Sequence, residues 1–136
     1  MGHLPTAHIA GVQGYFVNPL LEGGIVYWMP TFNFDDFVKY CSELRVTTFF
    51  SVPPIYMAIA KHPVVKDQFR HMRAAVSGAA PLSQELQEAA SEKLGRASLT
   101  QTWGLSETTG SATGIPLGQT NAPGSIGPLL SNIEMR

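Results

Sequence analysis

The chain of 136 residues is long enough to bury a real core and fits one domain. It is 44% hydrophobic but only 14% charged, against about 25% in a typical free-standing domain, so part of its surface is expected to face more protein. A net charge of −1 without a basic run argues against nucleic acid as a main partner. No apolar run approaches the ~20 residues of a membrane span, and a single cysteine, Cys41, excludes an internal disulfide.

One thiol fits a reducing compartment, so a cytoplasmic setting is expected, with a peroxisomal one left open because neither end carries a readable targeting signal. The opening Met1-Gly2-His3-Leu4-Pro5 reads as an entry in mid-domain. From Leu4 to His8 a short strand or loop leads into a helix predicted over about 9–21, with Ile9, Val12, Phe16 and Leu20 on one face. Gly11 and Gly14 each weaken such a helix by about 1 kcal/mol and fit only where a backbone or ligand packs close. Pro19 should kink or divide it. His8 at its mouth has two readings, a cap or packed ring and a functional group.

Gly23-Gly24 ends that helix, and the continuous apolar run 25–29 predicts a strand buried on both faces. Asn33 caps a second helix, with Asp35 and Asp36 in its first turn and Phe37, Val38, Cys41 and Leu44 as its apolar stripe. Residues 46–52, β-branched and aromatic, predict the next strand. Pro53-Pro54 starts a short helix carrying Ile55, Met57 and Ile59, and Lys61-His62-Pro63 ends it. His62 and His71 lie in polar, solvated surroundings. A third strand over 72–76 runs into Ser77-Gly78-Ala79-Ala80-Pro81, a loop of small residues. Ser83 then caps a helix with Leu86, Ala89, Ala90 and Leu94 buried, stopped by Gly95. The fourth strand, 97–103, ends at Gly104, followed by Leu105-Ser106-Glu107-Thr108-Thr109-Gly110. A further strand over 111–115, a loop with Pro116, Gly118, Pro123 and Gly124, and an extended piece near Ile133 complete the chain.

This alternation predicts an α/β fold: three layers, a mostly parallel sheet with helices on both faces, the whole chain 1–136 being one subdomain. Ligands bind at the carboxyl ends of such strands, where the turns 77–81 and 101–107 fall side by side. The first has no bulky side chain, so a flat base could lie against it, and Trp103 could stack opposite. Ser106, Thr108 and Thr109 offer hydroxyls suited to phosphate oxygens, and Glu107 offers the hard oxygen that suits Mg²⁺. The plainer readings are a tight strand-to-helix turn for 77–81, core packing for Trp103, and a Ser/Thr-rich turn capping a short helix after Gly104. There is no G-x-x-x-x-G-K-[ST], G-x-G-x-x-G or G-x-S-x-G motif and no Cys/His cluster, so hydrolase and dehydrogenase readings have little to rest on.

Five motifs in order resemble the acyl-adenylating, AMP-forming superfamily, in particular its acid–CoA ligase branch (4-coumarate–CoA ligases and acyl-CoA synthetases). They are Leu4-Pro5-x-x-His8-x-x-Gly11, Val52-Pro53-Pro54, Ser77-Gly78-Ala79-Ala80-Pro81-Leu82, Gln101-x-Trp103-Gly104-Leu105-Ser106-Glu107-Thr108 and Pro123-Gly124-Ser125-Ile126-Gly127. The resemblance implies ATP, Mg²⁺ and CoA as cofactors and co-substrate, and a small carboxylic acid as substrate. It implies nucleotide contacts from Gly78, Ala79, Ala80, Gln101, Thr102, Trp103, Gly104, Leu105 and Ser106, and a Mg²⁺ ligand in Glu107. Substrate contacts would come from His8, Ser77, Gly78 and Thr102, and the catalytic set would be Ser106, Glu107 and His8. Thr102 stands where many relatives have Gly and should narrow the acyl pocket; Trp103 replaces the usual Tyr. The family's phosphate loop with its lysine, its ribose-holding Asp and its C-terminal domain with the catalytic lysine are not in the sequence. The chain is therefore expected to be a segment, with the remainder of a parent enzyme as its partner, and to be inactive alone. Two alternatives stay open: a peptide-synthetase adenylation segment, and a non-catalytic flavodoxin-like module binding a nucleotide or protein.

Overall fold

The computed structural model describes residues 1–95, 97–116, 118–120 and 122–136. Its centre is a parallel three-stranded sheet in the order β1 (Thr48–Ser51), β2 (Ala74–Ser77), β3 (Ser98–Gln101), in register Thr48–Ala74–Ser98 through Ser51–Ser77–Gln101. The strands are a few residues shorter than predicted. Alternation sends the row Phe49, Ala75 and Leu99 into the core beneath helices α3 (Phe34–Glu43), α4 (Pro53–Lys61) and α5 (Gln84–Lys93). Phe37, Phe49, Tyr56 and Phe69 mesh there, Phe37 meeting Phe49 edge-on at 5.3 Å between centroids, and the buried Tyr56 hydroxyl donates to Val76 O at 2.8 Å.

The caps form as the sequence predicts. Asn33 Oδ1 accepts from Asp36 N, Ser83 Oγ accepts from Leu86 N, and Gly95, at φ +69°, ends α5. Of the predicted apolar stripes, Leu44, Met57 and Ala89 are exposed, while Gln87 on α5 is buried.

The first helix differs most from expectation. It consists of α1 (Ile9–Val12), a π segment (Gln13–Val17) and α2 (Asn18–Glu22), joined through residues that keep right-handed helical dihedrals. A proline ring clashes with the carbonyl four residues back, and here the wider π turn, closed by Asn18 N–H donating to Gln13 O, precedes Pro19. The predicted face is not the buried one: Phe16 is 47% and Leu20 81% exposed. The helix is instead seated through Gly11, where any Cβ would overlap the Pro5 carbonyl, and through buried Tyr15, whose hydroxyl donates to Phe50 O at 3.0 Å. Gly14 lies against Phe50 on the sheet face opposite the core, so helices flank both faces.

The predicted strand 25–29 forms no ladder among the described residues. A parallel bridge joins Trp28 to Gly2, and Ile25 is 78% exposed rather than sandwiched. Likewise 111–115 contributes only Ser111 to β5 (Gly110–Ser111) and a bridge from Thr113 to Leu129, and the segment before Ile133 closes in a turn at Asn132. Leu117, inside the predicted 116–124 loop, and Asn121 lie outside the described residues, as does Arg96. Among the described residues no helix is long and apolar enough to cross a membrane.

Candidate functional site

The turns after β2 and β3 meet at the carboxyl edge of the sheet, as their spacing predicts. Thr102 N donates to Ser77 O at 2.9 Å and Gly78 N to Ser51 O at 3.1 Å. Gln101 then ties one turn to the other: its Oε1 accepts from Leu82 N and its Nε2 donates to Leu82 O, both at 3.0 Å. Nε2 also donates to Gln87 Oε1 at 2.9 Å, which accepts from Gly124 N at 3.0 Å, while Gln87 Nε2 donates to Leu99 O at 2.8 Å. Two buried amides with partners this complete make a rigid frame. A Cβ at Gly78 would come within 2.7 Å of the Phe50 ring and 3.1 Å of the Thr102 methyl, so the turn needs glycine there for space. Ala79 follows at φ +68° and reverses the chain.

Beside this edge lies a cavity of about 1200 Å³, walled by the first helix, the sheet face carrying Phe50, Val76 and Thr100, and the segment after β3. Of the predicted site residues, His8, Ala79, Gln101, Thr102, Gly104, Leu105, Ser106 and Glu107 line it. Thr102 Oγ1 donates to Thr113 O at 2.6 Å, leaving the methyl as its free part. His8 is both cap and wall: its Nδ1 accepts from Ala10 N at 3.1 Å, which assigns the proton of a neutral ring to Nε2.

Four predicted residues are not brought to this cavity. Ser77 is buried in the register row between Ser51 and Gln101, with no described partner for its hydroxyl, so its side chain is sealed away from any substrate there. Gly78 lies beneath Phe50 and Thr102, and Ala80 is exposed outside the lining. Trp103 is 40% exposed, and it is not among the residues that wall this cavity. Gln101 reaches the lining, but its amide is wholly engaged in the frame and acts by holding the turns.

After Trp103 the chain forms a hairpin rather than a capped helix. Strand β4 (Gly104–Leu105) pairs antiparallel with β5, and Ser106 and Glu107 stand exposed on the turn. Thr108 staples the turn: its Oγ1 accepts from Leu105 N at 2.9 Å and donates to Gly110 O at 2.8 Å. Glu107 belongs to no group of three or more His, Cys, Asp or Glu able to hold a metal among the described residues. Mg²⁺ carried on substrate phosphates needs only one or two protein carboxylates, so this donor set fits that ion and not an all-protein cage.

Three residues that shape the site escaped the sequence reading. Phe50 covers Gly78, Gln87 joins α5 to β3, and Gln13 reaches from the π segment to the hairpin, its Oε1 accepting from Ser111 N at 3.1 Å. Only tertiary pairing distinguishes them, since each lies far in sequence from the groups it touches.

The AMP-binding enzyme family model matches residues 1–136. The chain is 51% identical, over all its 136 residues, to a putative acyl-coenzyme A synthetase of Emericella nidulans, of which it covers 24%. It is 36% identical over 134 residues to a probable 4-coumarate–CoA ligase 2 of Dictyostelium discoideum, covering 97% of this chain and 24% of that protein. Among solved structures, ATP-bound MatB from Rhodopseudomonas palustris superposes with a TM-score of 0.83 at 29% identity, over 95% of this chain and 25% of that one. The chain thus spans about a quarter of the length of the relatives it matches. It belongs to the AMP-binding enzyme family.

Proposed function

We propose that this chain is the part of an ATP-dependent acid–CoA ligase that presents a carboxylic acid to the α-phosphate of ATP. The observation that carries the reading is the Gln101 amide bridge to Leu82, which fixes the small-residue turn and the Trp103–Glu107 turn as one edge beside a large cavity. In that reading the acid lies in the cavity against Phe50, Val76 and the Thr102 methyl, with His8 Nε2–H free to donate to its carboxylate. The nucleotide lies along the turns, its adenine against Ala79, Ala80 and Trp103 and its α-phosphate against the Ser106 hydroxyl. Bound at Glu107 and the phosphates, Mg²⁺ would supply charge neutralisation there. The acid's carboxylate oxygen forms a bond to the α-phosphorus as pyrophosphate leaves. The CoA thiol then gives up its proton to solvent, its sulfur bonds to the acyl carbon, and the bond from that carbon to the phosphate oxygen breaks as AMP departs. The remainder of a larger parent protein supplies what this chain does not.

The relatives named above favour this reading over a peptide-synthetase segment or a flavodoxin-like module. Its test is Glu107→Ala in the full-length parent protein. Calorimetry should show ATP affinity losing its dependence on Mg²⁺ while the protein still folds. An unchanged Mg²⁺ dependence would remove Glu107 from the metal role.

A further inference from the structure

The first helix and the Gly104–Ser111 hairpin both line the cavity, one carrying His8 and the other Ser106 and Glu107. Among the described residues, the hydrogen bond that joins them is Gln13 Oε1 accepting from Ser111 N at 3.1 Å, across 98 positions of sequence. The contact is built from both sides. Gln13 opens the π segment, its own carbonyl accepting the Asn18 N–H that closes the wide turn, so its position on the helix is set by the bulge. Opposite it, Gly110 adopts φ +104°, and any Cβ there would overlap Gln13 Oε1 and push the amide aside, so glycine leaves the room in which this contact forms. Within the hairpin, Thr108 fixes the shape of the turn, but among the described residues its side-chain bonds run to Leu105 and Gly110 and say nothing of where the turn stands over the cavity.

We propose that Gln13 is a positioning residue: by holding the Ser111 N–H it fixes where the hairpin presents Ser106 and Glu107 to the cavity that His8 also lines. This rests on the nucleotide reading above. A hairpin released from the helix would still carry its hydroxyl and carboxylate, but in a spread of positions, so binding that needs both phosphate and metal would weaken more than binding of a nucleotide without metal.

The experiment uses the full-length parent protein and equilibrium calorimetry with ATP, in Mg²⁺ and in chelator. Gln13→Met keeps the length and removes the amide oxygen. It is expected to weaken binding of ATP in Mg²⁺ about fivefold to tenfold, the size of one lost hydrogen bond, and to change binding in chelator by less than about twofold. Gln13→Glu keeps an acceptor in place, and although its added charge beside the phosphates lowers both affinities, their ratio should stay within about twofold of the parent's. A purely structural role would lower the melting temperature and leave the ratio of the two affinities unmoved. That outcome, or a Gln13→Glu variant whose ratio falls as far as that of Gln13→Met, overturns the proposal. If Gln13→Met does not fold, Gln13→Asn, one methylene too short to reach Ser111, takes its place with the same expected ratio. A parent protein that binds no ATP in Mg²⁺ overturns the nucleotide reading and this inference with it. One that binds while the Gln13 variants match it overturns the inference alone.

Discussion

His3 illustrates how much one side chain can report. Its Nδ1–H donates to Met1 O at 3.2 Å, its Nε2 accepts from the Ser51 hydroxyl at 2.9 Å, and its ring lies 4.7 Å from that of Phe37. Burial pushes its pKa down from 6.5 to about 4. The unfolded chain therefore binds the extra proton first. Stability is complete above pH 6.5 and falls as pH drops towards 4, by about 2 kcal/mol at pH 5. Urea midpoints of the chain at pH 7 and pH 5 should differ accordingly, and His3→Phe should flatten that difference; a slope of equal size in the variant would assign it elsewhere. None of this was legible in the sequence, where His3 sits beside Pro5 in an apparently open entry segment. His8 was legible by motif and by helix position, and its two readings coexist: Nδ1 caps the helix while the other nitrogen remains free at the cavity. Gln101 was legible as a site residue but not in manner, because the partners that occupy its amide, Leu82 and Gln87, come from a loop and a helix that only folding brings near.

At the scale of elements, the local signals that sequence carries well were caps, prolines and glycines, and these located α3, α4, α5 and the strand ends. What failed was phase and pairing. A period of 3.6 assumes an unbroken α-helix, and the π segment before Pro19 changes the phase, so the row through Phe16 and Leu20 turns outward. The apolar run 25–29 looked like a sandwiched strand, but a strand needs a partner, and the described residues offer it Gly2 alone. The hairpin after Trp103 was hidden because each of its two-residue strands contains a glycine and its staple is a threonine. That staple makes a prediction. Thr108→Val keeps the shape of the side chain and removes both the acceptor for Leu105 N and the donor to Gly110 O. Leaving these groups to water should cost the turn about 1 kcal/mol, read as roughly fivefold faster amide exchange at Leu105. Exchange there unchanged from the parent would mean that the backbone pairing of β4 with β5 holds the turn without it.

For the molecule as a whole, composition and surface tell one story. The low charge anticipated at the outset is matched by an apolar strip: Val12, Phe16, Val17, Leu20 and Leu21 on the first helix, continued by Ile25, Tyr27 and Trp28. Phe16 and Trp28 pack on each other at 4.9 Å between centroids and keep the strip contiguous. Contiguous apolar patches of more than a few hundred Å² are rare on free monomers, and a net charge of −1 supplies little repulsion between copies. The 136-residue chain on its own should therefore self-associate near neutral pH and bind a hydrophobic dye. Leu20 and Leu21, each 81% exposed, touch little, so changing them should leave the fold intact. The double variant Leu20→Lys, Leu21→Glu should shift sedimentation velocity profiles towards monomer and reduce dye binding, with the urea midpoint moved by less than about 0.5 kcal/mol equivalent. A parent chain that sediments as a monomer at tens of micromolar would show that the strip is too small or too interrupted to drive association. The same distribution of species in parent and variant would place the sticky surface elsewhere, with the exposed Leu129, Leu130 and Met135 as the next segment to test.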